Sequence, residues 1–349
     1  MRIYQIQNNS GMALLIVLWV LVLLSVMAAE FSYTMRNQVR VVNNFKEGAQ
    51  AYYMAVGGIN QAIFSILRTE SRPPGDPKAE ALQTGGATLT GQWRTNSIIG
   101  PIPFGEQGAI RVHIQNEGGK IDINQADEKL LNIMLEPFNL DESRKAIIVG
   151  SIQDWRDENS LHRANGAEDD YYQSLAEPYE CRDGDFESKQ ELLLVRGISS
   201  ALYYGGLQDF VTVISEDQQR DSGLGGLLSR FSNTGQSGGR SGKLNINAVP
   251  TRLLSALPDI QAETVEIIDS HRKKHNFNSL SELQPLLSDG QFQVIRRYLT
   301  ADPLPYYRIW VTGYTQNNTQ ETVEALVKIQ GAGDQKPYRI LEWKDSVQE

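Results

Sequence analysis

The sequence predicts an α+β fold: a long N-terminal helix packed on a small antiparallel sheet, with a large all-α domain, carrying a duplicated unit, inserted into that sheet. Three observations carry this reading. An uninterrupted apolar and then amphipathic run opens the chain, alternating segments stand on both sides of a long middle, and one short pattern occurs twice inside that middle.

The helix comes first. From Met12 to Ala29 the stretch MALLIVLWVLVLLSVMAA is 18 residues long, has no charge, and has Ser25 as its one clearly polar side chain, which is the lower edge of a membrane span. From Glu30 to Leu67 no proline occurs, and apolar or small residues recur at Met35, Val39, Val42, Phe45, Ala49, Tyr52, Val56, Ile59, Ile63 and Ile66. Steps of three and four make a helix seam. The two runs read as one helix of about 56 residues, roughly 84 Å at 1.5 Å per residue. Gly48, Gly57 and Gly58 soften it, each by about 1 kcal/mol against alanine, and Pro73-Pro74 marks its latest end. A cleaved signal peptide ending near Val26-Met27-Ala28 is the competing reading, but the leader has only Arg2 as a positive charge and the helical pattern runs on past the cleavage point.

The strands follow. Gly108–Gln115 (GAIRVHIQ) alternates with a period of two, as do Tyr307–Tyr314, Glu321–Gln330 and Tyr338–Trp343, the last three broken by Gln316-Asn317-Asn318 and by the turn-formers of Gly331–Asp334. Strands on both sides of a long middle imply one sheet with the middle inserted.

That middle holds the repeat. Gly119-Lys-Ile-Asp-Ile-Asn124 followed by Glu128-Lys-Leu-Leu131 matches Gly242-Lys-Leu-Asn-Ile-Asn247 followed by Thr251-Arg-Leu-Leu254, and Phe186–Leu192 (FESKQEL) matches Phe277–Leu283 (FNSLSEL). Two copies of one helical unit follow, each with an asparagine placed to cap the helix of paired leucines. The pattern resembles helix-hairpin-helix motifs. Between the copies, Phe210–Ile214 is a strand candidate and residues 216–242 are a Gly/Ser-rich flexible loop.

Composition narrows function. Across 349 residues, 33 Lys and Arg against 42 Asp and Glu give a formal charge of −9, which argues against wrapping nucleic acid by counterion release. A membrane-anchored helix-hairpin-helix protein binding DNA is nonetheless the alternative function. Against it, the hairpin turns Phe138–Asp141 and Pro258–Gln261 lack a glycine and place aspartate where a phosphate would sit, and Arg272-Lys273-Lys274 is the one dense basic patch. Catalysis finds little support: four scattered histidines, no G-x-S-x-G, P-loop or H-E-x-x-H, and a lone Cys181 whose acidic neighbours raise its pKa. The chain is read as no enzyme.

Acidic residues concentrate between Asp154 and Glu191, twelve of them against four bases. Crowded carboxylates without matching histidine or cysteine spacing are hard oxygen donors and favour Ca²⁺. Asp154-Trp-Arg-Asp157-Glu-Asn159 and Gly166–Tyr171 are the densest oxygen clusters, although neither has EF-hand spacing. The candidate ligands are Asp157, Asn159, Glu168 and Asp169, with Asp154, Asp170, Glu180 and Asp185 behind them. A solvated acidic loop is the alternative.

Gly11-Met12 at the head of the apolar run, behind the polar leader MRIYQIQNNS, resembles type IV pilin-like precursors. The resemblance implies that a prepilin peptidase cuts after Gly11 and leaves Met12 as the new, methylated N-terminus. Members ordinarily have glutamate as the fifth mature residue; here that position is Ile16. A long chain, a missing acid and an extra helical domain together resemble the minor pseudopilin K family of type II secretion (general secretion pathway protein K). This implies a pilin-like fold and calcium in the acidic loop. It also implies a subunit at the pseudopilus tip that starts assembly for protein export across the outer membrane. Expected partners are the minor pseudopilins I and J, the inner-membrane assembly platform and the prepilin peptidase, with no small-molecule substrate. The location implied is the bacterial inner membrane, single-pass, with most of the chain in the periplasm.

The expected organisation is a leader at 1–11, a transmembrane part at 12–29, the rest of the helix and first strands at 30–118, the inserted helical domain at 119–302, and closing strands at 303–349.

Overall fold

The computed structural model describes residues 10–70, 93–105, 108–214, 242–330 and 336–345. Most of the leader, Pro73-Pro74, the Gly/Ser-rich loop up to residue 241 and the turn at 331–334 lie outside the described residues.

In chain order, helix α1 (Ser10–Glu70) leads to strands β1 (Ser97–Pro103) and β2 (Gly108–Asn116). The middle follows: β3 (Ile121–Asp122), α2 (Glu128–Leu135), α3 (Glu142–Arg156), α4 (Asp169–Tyr172), β4 (Val211–Thr212), β5 (Leu244–Asn245), α5 (Thr251–Leu254), α6 (Ala262–Arg272), α7 (Asp289–Tyr298) and β6 (Leu299–Thr300). β7 (Tyr306–Thr315), β8 (Gln320–Ile329) and β9 (Tyr338–Lys344) close the chain.

The helix is continuous over 61 residues. Its described side chains are exposed as far as Lys46, and none of its apolar first half is buried among the described residues. Burial begins at Ala51 and returns at Ala55, Ile59, Ala62, Ile63 and Ile66, one face of the helix. The expected seam therefore holds at Ile59, Ile63 and Ile66, while Met35, Val39, Val42 and Phe45 stand free. Gly57 and Gly58, expected to soften the helix, instead admit the sheet: a Cβ on Gly58 would lie 2.6 Å from Val311 Cγ1, and one on Gly57 2.8 Å from Phe104.

Under that face lies a five-stranded antiparallel sheet of order β1-β2-β7-β8-β9. Alternation sends Ile110, Val112 and Ile114 of β2, Ile309 and Val311 of β7, and Val323, Ala325 and Val327 of β8 into the core with the helix. Edge strand β1 was not legible, because Gly100-Pro101 interrupts its period. The register slips between Ile99 and Ile102, an irregularity that an edge strand tolerates.

β2 and β7 are neighbours, with Asn116 opposite Tyr307, and the described residues between them build a second, separate core. Among its described residues the insertion combines short helices with irregular loops, and its strands form two parallel pairs, β3 with β4 and β5 with β6. The strand candidate Phe210–Ile214 shrinks to β4.

The repeat has a structural counterpart. Asn124 donates from Nδ2 to the Phe186 carbonyl (3.0 Å) and accepts the Phe186 N–H (2.8 Å); Asn247 does the same with Phe277 at 2.9 and 2.7 Å. Arg156 donates to the carbonyls of Ile123 and Ala126, and Arg272 to those of Ile246 and Val249. Ser188 with Glu191, and Ser279 with Glu282, form matching capping boxes. The hairpin turns bend at Asn139 (φ 50°) and Asp259 (φ 61°), left-handed backbone that Asn and Asp tolerate. The asparagines are not helix caps, contrary to expectation. α2 is capped by Asp127, whose carboxylate accepts from Leu130 N at 2.9 Å, because a cap must stand directly before the first helical residue.

Candidate metal centre

The site is assembled where α3 ends. Asp141 caps the start of α3 by accepting from Arg144 N at 2.9 Å, and the last turn carries Asp154 and Trp155 inward. Trp155 meets Tyr172 edge-on at 5.2 Å and stacks near Phe186, which builds an aromatic wall. Asp154 is fully buried behind that wall. Its carboxylate accepts the Arg163 backbone N–H (3.2 and 3.3 Å) and the Arg163 guanidinium (2.7 Å), which also pairs with Asp157. The loop folds back so closely that a side chain on Gly166 would strike the Asp154 carboxylate.

Glu168 follows two residues later, 3% exposed. Neither of its carboxylate oxygens has a hydrogen-bond partner. An ionised carboxylate so placed is costly. Burial first, and then the charges of Asp154 and Asp183, push its pKa up to about 7. Asp183, held at φ 48°, likewise has an oxygen without a partner. Ligand atoms of Glu168, Cys181 and Asp183 all lie within 4.8 Å of one another. Burial pushes the Cys181 thiol up to about 12, with Asp183 and Glu168 adding to the shift, so it is no nucleophile.

Of the expected ligands, Asp154 and Asp157 are joined through Arg163 and their charges reach Glu168, whereas the others make separate contacts. Asn159 is exposed and donates to Asp157 at 2.7 Å. Asp169 accepts the Cys181 backbone N–H at 2.6 Å. Asp170 is exposed, 3.8 Å from His162, and Glu180 and Asp185 are exposed too. Asp183 was missed as a ligand. It counted among the twelve acids, but nothing in its spacing distinguishes it from Glu180 or Asp185.

A cation would resolve this arrangement. Buried, unpartnered carboxylate oxygens facing further carboxylates suit a hard divalent ion, and the residues present fit one. At the chain's other end, Gly11, Met12 and Ile16 lie in the first turns of α1, with Met12 and Ile16 exposed. The basic patch is partly consumed within the fold: besides its carbonyl contacts, Arg272 donates to Thr251 (2.9 Å) and pairs with Asp269.

A long helix whose second half lies on an antiparallel sheet, while its first half projects bare, is the pilin-like class of α+β fold. Residues 112–216 match the family model for type II secretion system (T2SS), protein K. Type II secretion system protein K of Aeromonas hydrophila is 25% identical over 228 residues, 61% of this chain and 66% of that protein. The Pectobacterium carotovorum protein of the same name is 26% identical over 210 residues, covering 60% of it, so the matched region is just under two thirds of both. The Pseudomonas aeruginosa counterpart is 23% identical over 283 residues, 78% of this chain and 75% of that one. In fold, the chain is similar to a chain in the crystal structure of the GspK-GspI-GspJ complex from enterotoxigenic Escherichia coli, with a TM-score of 0.56 at 16% identity, covering 89% of this chain and 100% of that one. Over residues 112–216 the chain is thus similar to the type II secretion system protein K family.

Proposed function

We propose that the protein is a minor pseudopilin that stands at the tip of the type II secretion pseudopilus and starts its assembly, for protein export across the outer membrane. The observation that carries this reading is the division of α1: a bare apolar half long enough to cross a membrane, and a second half anchored to its own sheet. A rod of this kind spans the inner membrane once, with the globular part in the periplasm, and packs beside similar rods once it leaves the bilayer. Prepilin peptidase cuts after Gly11 and Met12 becomes the methylated terminus. With Ile16 where a glutamate would sit, the subunit has no carboxylate to offer the terminal amine of a subunit above it, which suits the outermost place. The helix-hairpin-helix-like insertion blocks further stacking and acts as scaffold, not as enzyme.

The partners are the I- and J-type minor pseudopilins, by analogy with the complex of similar fold, and the assembly platform beneath them. Calcium is held by Glu168 and Asp183, joined by Asp154 and Asp157, and it fixes the acidic loop in one conformation. The orphaned oxygens of Glu168 and Asp183 support this. Co-expression of the full chain with I- and J-type partners in detergent tests the reading. A stable ternary complex is expected, and a chain that elutes alone from both partners contradicts it.

A further inference from the structure

We propose that the pocket of Glu168, Cys181 and Asp183 takes a thiophilic divalent cation of the zinc class, with Cys181 sulfur as a ligand, in competition with calcium. This rests on the reading of the acidic loop as a metal centre and concerns which ion that centre prefers.

Calcium takes six to eight oxygens and has no use for sulfur. Zinc is satisfied by three protein ligands and one water, and binds carboxylate and thiolate alike. The pocket offers that smaller set: one atom each from Glu168, Cys181 and Asp183, all within 4.8 Å of one another. The neighbouring carboxylates that would extend it toward calcium's larger shell, Asp154 and Asp157, are both engaged by the Arg163 guanidinium. Glu168 is 3% exposed and Cys181 8% exposed, so the set is nearly dry, and its one donor is the weak S–H of Cys181 between the carboxylates of Glu168 and Asp183. A dry site rewards the covalent character of a metal–sulfur bond. When the metal binds, the Cys181 proton leaves to bulk water and a thiolate–metal bond replaces the S–H bond, with no electron transferred. The surrounding charge of Asp154 and Asp157 favours any dication and does not choose between the two, so the sulfur is the discriminating group.

The test uses the metal-stripped full chain in detergent, titrated with Cd²⁺ as a spectroscopic stand-in for zinc. Wild type is expected to develop a thiolate-to-metal charge-transfer absorption that Zn²⁺ abolishes and Ca²⁺ at equal concentration does not. Cys181→Ser is expected to lose that absorption while keeping thermal stabilisation by Ca²⁺. No charge-transfer absorption in wild type overturns the proposal whatever the variant does, as does an unchanged absorption in Cys181→Ser. If calcium still raises the melting temperature while the absorption is absent, only the zinc preference fails. If neither ion shifts melting and no absorption forms, the metal-centre reading fails with it.

Discussion

One asparagine in each helical unit fastens the chain at two points, and the acidic loop hangs on the first of them. Asn124 and Asn247 saturate the N–H and C=O of a buried phenylalanine from the far end of their units. Asn247→Ala leaves both groups without a partner and should cost about 1–3 kcal/mol, read as a lower melting temperature. Asn124→Ala should cost as much and also loosen the segment leading to Phe186, the stacking partner of Trp155. Glu168 makes a prediction in pH. Its pKa is near 7 folded and near 4.5 as an unperturbed carboxyl, so the native state binds more protons between those values. Stability of the metal-free protein should therefore fall as pH rises from 4.5 to 7, and Glu168→Gln or added calcium should remove that slope in thermal melts. The repeated asparagines were legible from spacing, though their role was misread, because hydrogen bonds across 62 and 30 residues leave no local signature. The isolation of Glu168 was invisible for the same reason. An acid among twelve becomes special only once Trp155, Tyr172 and the Gly166 turn shut water out.

At the scale of elements, the contact that matters most is helix on sheet. α1 approaches β7 so closely that a Cβ on Gly313 would overlap the Ala51 carbonyl, while Gly58 faces Val311 from the other side. Gly313→Ala must push the helix off the strand and should destabilise by about 1–3 kcal/mol, measured by thermal melting of the full chain in detergent. Each fully buried isoleucine of the seam, Ile59, Ile63 and Ile66, contributes about 1.5–3 kcal/mol to holding the helix there. The period of 3.6 in α1 and of 2 in β2, β7 and β8 made these elements legible to within a residue for the strands and three residues for the helix. What periodicity does not carry is where the partner stops. The seam of α1 continues toward Met35 in sequence, yet the sheet reaches it only from Glu47, held by Asn317 and Thr319 of the β7–β8 turn, so the stripe before it is exposed.

At the scale of the whole molecule, two cores are joined where the chain leaves β2 and returns to β7. Asn116 binds the Leu304 carbonyl at 2.6 Å and accepts the Leu304 N–H at 3.1 Å, which ties the outgoing and returning strands together. Beside it Arg308 bridges Glu117 (3.0 Å) and Glu324, both shielded from water, and the half-buried Glu342, and Lys120 closes the group on Glu117 at 2.9 Å. Burial raises the Glu117 pKa, but Lys120 and Arg308 outweigh it and hold the carboxyl at about 2. Arg308→Met leaves Lys120 as the one cation on Glu117 and removes the guanidinium that Glu117 shares with Glu324 and Glu342, and should cost about 3 kcal/mol, read as a fall in melting temperature that is smaller at pH 3, where the acids left behind take up protons. The insertion itself was legible from strands on both sides of the repeat; this charged junction was not, because its members are scattered from 117 to 342. The two-core body and the bare apolar rod together make the account of a retained, membrane-crossing helix that ends beside sister helices. Intact-mass analysis of the mature protein from cells with an active prepilin peptidase tests this most directly. The account predicts a methylated chain beginning at Met12, and a chain beginning at or beyond Ala29 would contradict it.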